Sequence, residues 1–271
     1  MKYRVLALDL DGTLTNSQKV ITPVTQAALE KAMDKGVKIL LASGRPAVGV
    51  WPLARQLELD KRGGYILAYN GGQIIDCGTG RTLFQQQVPQ QVVGPLCAFA
   101  REYGIAALTY NDRGIVTEHP EDQYVQLECR INHVPAIGVE DLAAEVSYPV
   151  TKFLLTGEGE YLAKLVPVAQ ERFAGVLNIF RSEPFFMEAT PPGIEKGAAL
   201  DRLLSQLGLV REQLMACGDG LNDMPMLRYA GLGVAMANAQ PEAKQAADAV
   251  TLSNDEDGVA AAVEKYILNE E

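Results

Sequence analysis

The sequence predicts an α/β fold built on a doubly wound parallel sheet. Short apolar runs such as residues 5–7 lack a polar face, which is typical of strands buried on both sides of a parallel sheet. Stretches with helical periodicity alternate with these runs toward both ends of the chain. Polar and small residues follow several runs directly, and ligands of open α/β sheets bind outside the carboxyl ends of the strands.

The N-terminal part predicts alternating strands and helices. Pro23 suits the first position of a helix, and Lys35-Gly36 suits its end. A βαβαβ pattern of this kind argues for parallel strands joined by right-handed crossovers. The predicted elements are, in order, a strand at 5–7, a helix from 23, a strand at 37–42, a helix at 46–57 and a strand at 64–69.

The pattern changes after residue 84 and resumes after Pro191-Pro192-Gly193. The intervening stretch is more polar and is long enough to hold a core of its own. We therefore predict three segments: a first core part at 1–84, an inserted domain at 85–190 and a second core part at 191–271. The predicted elements beyond residue 84 are strands at 152–155, 185–187, 214–217 and 233–236, and helices at 162–173, 198–207, 223–229 and 259–268.

Composition excludes several classes of protein. A net charge of −10 over 271 residues makes nucleic acid an unsuitable partner. No apolar stretch approaches the length of a membrane span, and Asp9 and Asp11 interrupt the N-terminal run that a signal peptide would need. The cysteines lack C-x-x-C spacing, so we expect reduced thiols in a cytoplasmic protein, with a disulfide as the weaker alternative: Cys77, Cys97, Cys129 and Cys217.

Two carboxylates, Asp9 and Asp11, come just where the first strand should end, followed by Gly12. Unpaired aspartates at such a place repel each other unless a cation or a substrate uses them. Carboxylate oxygens are ligands that Mg²⁺ prefers. A lone Asp-x-Asp pattern would favour an ordinary strand end with an Asx-turn. Here, three further polar clusters occupy comparable positions.

These clusters are Ser43-Gly44-Arg45 after the second strand, Lys196-Gly197 at a helix start, and residues 218–223 after a later strand. A hydroxyl, a lysine and backbone amides near a helix N-terminus suit a phosphate group. Alone, Lys196 would favour a solvated surface position, because a lysine gains nothing from a helix N-terminus. Together, the clusters predict a phosphate and metal site at one edge of the sheet.

The four clusters, in this order, resemble the motifs of the haloacid dehalogenase superfamily, and the long insertion resembles its Cof-type subfamily. Tyr69-Asn70-Gly71 and residues 233–239 and 255–259 add to the resemblance. The sequence departs from the usual Cof-type pattern at two places: Glu195 before Lys196, and Gly71-Gly72 after Asn70. The resemblance implies a Rossmann-like core with an inserted α+β cap domain. It also implies a Mg²⁺-dependent phosphatase of small phosphorylated metabolites such as sugar phosphates.

The resemblance also implies roles for particular residues. Asp9 would be the nucleophile that forms an aspartyl-phosphate, and Asp11 would act as acid and then as base. Mg²⁺ would be bound by Asp9, the Asp11 backbone carbonyl and Asp219, with Asp223 as a supporting carboxylate. The phosphate ligands would be the amides of Leu10 and Gly44, the Ser43 hydroxyl, Lys196 and the Asn222 side chain.

Several alternatives stay open from the residues alone. Arg45 could contact substrate or form a structural ion pair, and Asn70 could contact substrate or simply form a turn. A phosphomutase or phosphotransferase would use the same aspartyl-phosphate, and a signalling module could be phosphorylated on Asp9, although the second acid Asp11 argues against that. The expected partner is a small phosphorylated metabolite, with no nucleic acid or membrane, bound by a monomer or weak homodimer. Possible cap or linker contacts are Tyr110, Tyr124, Glu128 and Glu188.

Overall fold

Strands and helices alternate through the first 85 residues of the computed structural model, which describes residues 2–269. The continuous apolar runs become strands, as predicted, and two further strands follow them, the first of which pairs antiparallel with the strand before it. The elements of this part are β1 (Val5–Leu8), α1 (Pro23–Asp34), β2 (Lys38–Ala42), α2 (Ala47–Gln56), α3 (Leu59–Arg62), β3 (Tyr65–Ala68), β4 (Gln73–Asp76) and β5 (Thr82–Gln85).

The next hundred residues contain shorter strands with helices between them. Asp122 begins one helix, since its side chain accepts hydrogen bonds from the N–H groups of Tyr124 and Val125. The elements of this part are α4 (Gln90–Glu102), β6 (Ala106–Tyr110), β7 (Ile115–Thr117), α5 (Gln123–Asn132), β8 (Ala136–Gly138), α6 (Leu142–Glu145), β9 (Phe153–Thr156), α7 (Gly159–Arg172), β10 (Asn178–Glu183) and β11 (Phe186–Thr190).

Regular alternation then resumes, as the sequence predicts. The elements are α8 (Lys196–Leu207), β12 (Leu214–Gly218), α9 (Met224–Tyr229), β13 (Leu232–Ala235), α10 (Pro241–Ala246), β14 (Ala249–Val250) and α11 (Gly258–Val263). A π-helical turn at Glu264–Leu268 follows α11. The segment 259–268, predicted as one helix, therefore consists of an α-helical part and a π-helical part.

The first and last parts share one sheet, whose strand order over the described residues is β14-β13-β12-β1-β2-β3-β4-β5. β1 pairs in parallel with both β2 and β12, and its four residues are fully buried. From this centre the chain proceeds to β2 and β3 on one side and to β13 and β14 on the other. This is the doubly wound arrangement that the sequence predicts, and its topological switch point lies between β1 and β12.

The middle part forms a second sheet, with the order β10-β11-β9-β6-β7-β8 within residues 2–269. Its pairings are antiparallel except that of β7 with β8. Side chains such as Phe99, Phe153, Leu162 and Met187 form a buried apolar cluster there. Residues 46–49 and 85–194 therefore make one compact unit, and the remaining described residues make another. The fold is a Rossmann-like α/β core with an α+β insertion.

All four cysteines lie buried with free thiols. Burial raises the pKa of the Cys217 thiol, which lies on β12, to about 12. Among the helices of residues 2–269, none combines the length and apolar character that crossing a lipid bilayer requires.

Candidate active site

The first and fourth sequence motifs meet at the switch point of the core sheet. Leu8 on β1 lies in register with Cys217 on β12, and the N–H of Asp9 donates to the Cys217 carbonyl at 3.0 Å. Because the two strands are parallel, the residues that follow them leave the sheet at the same edge. Asp9 and Asp219 are thus brought together by strand pairing.

Three carboxylates converge at this edge. Asp9, Asp219 and Asp223 each offer an oxygen atom, and these atoms lie within 4.8 Å of one another. Asp9 and Asp223 are buried, so water screens their repulsion poorly. A group of oxygen donors with excess negative charge suits a hard divalent cation. The donor set therefore fits a metal ion, as predicted.

Lys196 is the cation of this cluster. Its Nζ lies 2.6 Å from Asp9 Oδ1 and 2.5 Å from Asp223 Oδ1, and it donates to the carbonyl of Ala42 at 2.9 Å. All three N–H donors of the ammonium group therefore have partners. The side chain is 0% exposed, so it is not the solvated surface lysine that its place at a helix start would favour. Three carboxylates and one ammonium leave the cluster with a net charge of −2 when all are ionised.

Burial and mutual repulsion change the pKa values of these groups. Burial is the main cause that raises the pKa of Asp9 to about 8, and repulsion by the Asp223 charge is the second. Lys196 opposes both effects. Burial also raises the pKa of Asp219 to about 6. For Lys196, burial lowers the pKa, but Asp9 and Asp223 together outweigh it and the net pKa lies above its ordinary value. Without a divalent cation, the cluster favours proton binding.

Asp223 is committed to contacts within the protein. Its Oδ1 accepts from Lys196, and its Oδ2 accepts from the N–H groups of Asp219 and Gly220 at 2.9 and 2.8 Å. Thr13 Oγ1 donates to Asp219 Oδ1 at 2.9 Å. These bonds fix the loop that carries Asp219. The geometry thus suits the supporting function that the resemblance implies for Asp223, which stays a prediction.

Asp11, two residues after Asp9, has different neighbours. Arg45 donates to both of its oxygens, from Nε at 2.8 Å and from Nη2 at 2.6 Å, and Lys19 Nζ donates at 2.8 Å. Burial raises the pKa of Asp11, but Arg45 and then Lys19 outweigh it, so the net pKa is lowered. Of the two alternatives for Arg45, this structure contains the ion pair with an acid.

Most of the predicted phosphate ligands form a group beside the cluster. Ser43 directly follows β2, and its buried hydroxyl accepts from the N–H of Arg45 at 3.1 Å. Gly44 approaches Asn70 so closely that a Cβ would lie 3.1 Å from Asn70 Nδ2. Asn222 Nδ2 in turn donates to Asn70 Oδ1 at 3.0 Å. Leu10 is fully buried next to Asp9. Their functions as ligands stay predictions.

Gly12 is required by both conformation and space. Its φ is +84°, in the left-handed region that disfavours side chains. A Cβ at this position would also overlap the Asp219 carboxylate. The glycine of the first motif therefore allows the two carboxylate-bearing loops to approach each other.

Sequence reasoning did not identify two asparagines that stabilise the loop after β1. Asn238 Nδ2 donates to the Gly12 carbonyl at 2.8 Å, and Asn254 Nδ2 donates to the Thr15 carbonyl at 3.0 Å. Asn238 Oδ1 also accepts from the N–H of Asn254 at 3.0 Å. The signal was the resemblance at 233–239 and 255–259, which lies at or next to both residues.

The insertion contains a buried polar network of its own. Tyr110 OH and Asn132 Nδ2 both donate to Glu128 Oε1, at 2.7 and 2.8 Å, and burial raises the pKa of Glu128. Lys152 Nζ lies 3.3 Å from Glu188 Oε1. Three of the four candidate contact residues of the insertion thus make buried or partly buried polar contacts. The fourth, Tyr124, stacks on Phe185 with ring centroids 5.4 Å apart.

Comparison with known proteins gives a consistent classification. A family model described as haloacid dehalogenase-like hydrolase matches residues 6–263. A solved haloacid dehalogenase-like hydrolase from Bacteroides thetaiotaomicron is 43% identical, with a TM-score of 0.95 over 97% of this chain and 99% of that one. The chain therefore belongs to the family of haloacid dehalogenase-like hydrolases.

Two curated relatives, each 30% identical, have phosphatase names. One is the 5-amino-6-(5-phospho-D-ribitylamino)uracil phosphatase YcsE of Bacillus subtilis, matched over 98% of this chain and 96% of the relative. The other is the HMP-PP phosphatase of Serratia proteamaculans, matched over 89% of this chain and 86% of the relative. Within its family, the protein is an enzyme of the phosphoric monoester hydrolase class.

Proposed function

We propose that the protein is a Mg²⁺-dependent phosphatase of small phosphorylated metabolites, with sugar phosphates as the favoured class, acting through an aspartyl-phosphate on Asp9. One observation carries the proposal: Asp9 is buried at the switch point with Lys196 on one oxygen, inside a group of three carboxylates. A buried nucleophile next to a fixed cation and a metal site is what transfer of a charged phosphoryl group requires.

In the first half-reaction, the Asp9 carboxylate attacks phosphorus while Asp11 protonates the leaving oxygen. In the second, Asp11 takes a proton from water as that water attacks the aspartyl-phosphate. Asp9, the Asp11 carbonyl and Asp219 would hold the metal, which would neutralise phosphoryl charge and favour the ionised form of Asp9. Since Asp11 is paired with Arg45 and Lys19 here, donating a proton requires that these contacts be exchanged.

The remaining groups would bind and orient the phosphoryl oxygens. Lys196 is fixed by three acceptors and supplies a stationary positive charge. The Ser43 hydroxyl, the Leu10 and Gly44 amides and the Asn222 side chain would donate hydrogen bonds to the oxygens.

We further infer that residues 85–190 act as a cap domain that selects the substrate. Their own core and their own polar network, centred on Glu128, support a separate function for this unit. The named relatives act on a phosphoribityl compound and on HMP-PP, so related chains select different small phosphate esters. Four free thiols support a cytoplasmic location.

The test is phosphate release from a panel of phosphorylated metabolites with Mg²⁺, with excess chelator, and with Mg²⁺ restored. We expect turnover of one or a few sugar phosphates, loss of turnover with chelator and recovery with Mg²⁺. Asp219→Asn removes one of the carboxylates that would hold Mg²⁺. Asp34→Asn, which changes an exposed carboxylate, is its matched control. Full turnover in excess chelator would contradict the metal requirement.

A shortened chain joining Phe84 to Glu195 through a Gly/Ser linker tests the cap proposal. If the cap selects substrates, a soluble, folded core should still hydrolyse an activated aryl phosphate and should lose discrimination among metabolites. A soluble core that no longer binds Mg²⁺ would show that the insertion builds the site itself.

A further inference from the structure

Two cationic side chains contact the single negative charge of Asp11. Arg45 occupies both of its oxygens and Lys19 shares one of them, so the three side chains together carry a net charge of +1. The neighbouring carboxylate cluster carries −2, which a divalent cation bound there would neutralise without making it positive, and the whole chain carries −10. A phosphate dianion that approaches this protein therefore needs a local cation that is open to solvent.

Lys19 is that kind of cation. Its side chain is 57% exposed, whereas Arg45 is 14% exposed and Lys196 is 0% exposed. A solvent-exposed ion pair with a single contact is weak and exchanges readily, while the two-point contact of Arg45 is stronger. An incoming anion therefore competes for Lys19 more easily than for Arg45.

The backbone presents Lys19 in a fixed turn. Asn16 Oδ1 accepts from the N–H groups of Gln18 and Val20 at 3.0 and 3.1 Å, and the N–H of Asn16 donates to the Val20 carbonyl at 3.0 Å. Ser17 anchors the turn through its N–H and hydroxyl, both of which donate to Asp255. Because this backbone is already ordered, little further backbone entropy is lost when the side chain binds an anion.

The conformation of Lys19 is itself unusual. Its φ is +62°, in the left-handed region where asparagine and glycine are favoured over long side chains. That conformation is compatible with the Nζ contact to Asp11 at 2.8 Å. A lysine at this strained position, directed to the edge of the site, supports a function for its charge.

We propose that Lys19 receives the phosphate dianion of the substrate: as substrate binds, its ammonium group exchanges the Asp11 carboxylate for a phosphate oxygen, and Arg45 releases Asp11 only at the later step in which Asp11 donates its proton. The inference rests on the proposed phosphatase function for its substrate class. It adds a binding residue from a loop outside the four motifs, and it assigns the turn at residues 16–20 the function of presenting that residue.

The experiment compares Lys19→Met with Lys61→Met, both measured with saturating Mg²⁺. Lys61 is a matched control because it is exposed, lies 2.7 Å from a carboxylate of Glu58 and changes net charge equally. For Lys19→Met we expect KM for a phosphate monoester to rise about fivefold, because one exposed contact to a dianion is lost. The rise is limited because binding no longer has to displace the contact of Lys19 with Asp11. The difference should shrink at high salt, and Lys19→Arg should restore KM.

A second readout does not depend on turnover. Titration calorimetry with inorganic phosphate should show about fivefold weaker binding to Mg²⁺-loaded Lys19→Met than to the parent or to Lys61→Met. Equal phosphate affinities and equal KM values in an active enzyme would overturn the inference and leave the proposed function intact. An unaltered chain that hydrolyses no phosphate ester would instead overturn the proposed function, while the calorimetric comparison would still decide whether Lys19 binds phosphate.

Discussion

The two aspartates of the first motif lie two positions apart and occupy opposite environments. Asp9 is buried among carboxylates with one lysine, and its pKa is raised to about 8. Asp11 is 38% exposed, has two cations as partners, and has a lowered pKa. Two positions along the chain thus separate a carboxylate in a cluster of net negative charge from a carboxylate that two cations contact.

This difference suits the two functions that we propose, Asp9 as the nucleophile and Asp11 as the acid and base. A nucleophile gains from a fixed position beside a phosphate-binding cation, whereas a group that exchanges protons twice needs access to water and a partner that can change. The buried pair of Asp9 with Lys196 provides the first condition, and the half-exposed contacts of Asp11 provide the second.

The largest expected effect is on the rate of hydrolysis when either aspartate is replaced. Asp9→Asn should lower the rate of hydrolysis by roughly 10⁴-fold or more, because the proposed nucleophile is lost. Asp11→Asn should slow both half-reactions but still permit phosphorylation of Asp9 by an aryl phosphate. Mass spectrometry of acid-quenched samples would detect the phosphoenzyme. A phosphoryl group on Asp11, or on any residue of Asp9→Asn, would refute the assignment of the two roles.

The next effect concerns stability. Lys196→Met leaves Asp9 and Asp223 buried without their shared cation, so the free energy of unfolding should fall by about 3–5 kcal/mol. Lys19→Met removes an exposed contact and should cost less than about 1 kcal/mol. Urea unfolding of both variants at neutral pH without metal measures the contrast. Equal losses would mean that burial does not distinguish the two clusters.

The smallest effect is a dependence on pH. The pKa values of Asp9 and Asp219 are raised from 3.8 to about 8 and about 6, so their contribution to stability is complete below 3.8 and is lost as pH rises through the raised values. Asp11 has a lowered pKa, so its contribution is present above 3.8 and is lost in acid.

Mg²⁺ competes with the protons bound at Asp9 and Asp219. Saturating Mg²⁺ should therefore raise Tm by a few degrees more at about pH 8.5 than at about pH 6. Asp9→Asn should remove most of this pH dependence, and Asp34→Asn, at an exposed carboxylate, should not. A Tm increment that is independent of pH in the unaltered chain would show that the metal does not bind at these carboxylates.

The central strands could be predicted from sequence because burial on both faces demands continuous apolar runs. β1, β2, β3, β12 and β13 lie within two residues of their predicted positions for this reason. β5 is an edge strand and β4 lies next to it; both carry partly exposed residues and were not predicted. β14, at the opposite edge, has only two residues. Strands at or next to an edge lack the two-sided burial that makes a central strand visible in sequence.

The gathering of Asp9, Lys196, Asp219 and Asp223 could be expected, since each follows a predicted strand or begins a predicted helix. The opposite environments of Asp9 and Asp11 could not, because they depend on where the Arg45 side chain ends. Lys19 carried no signal at all: a lysine in a polar loop is ordinarily solvated, and its approach to Asp11 depends on a turn held by Asn16 and Asp255.

The position of β1 has a consequence for synthesis of the chain. Val5 pairs with Lys38 on one side and with Leu214 on the other. One side of this strand therefore has no partner until a residue 209 positions further along the chain has been synthesised. At ribosomal rates of about 5–20 residues per second, the wait lasts roughly 10–40 seconds. Throughout that interval an apolar strand with an open edge is exposed to other nascent chains. The charges of Asp9 and Asp11, placed at its end, disfavour intermolecular strand pairing until β12 arrives.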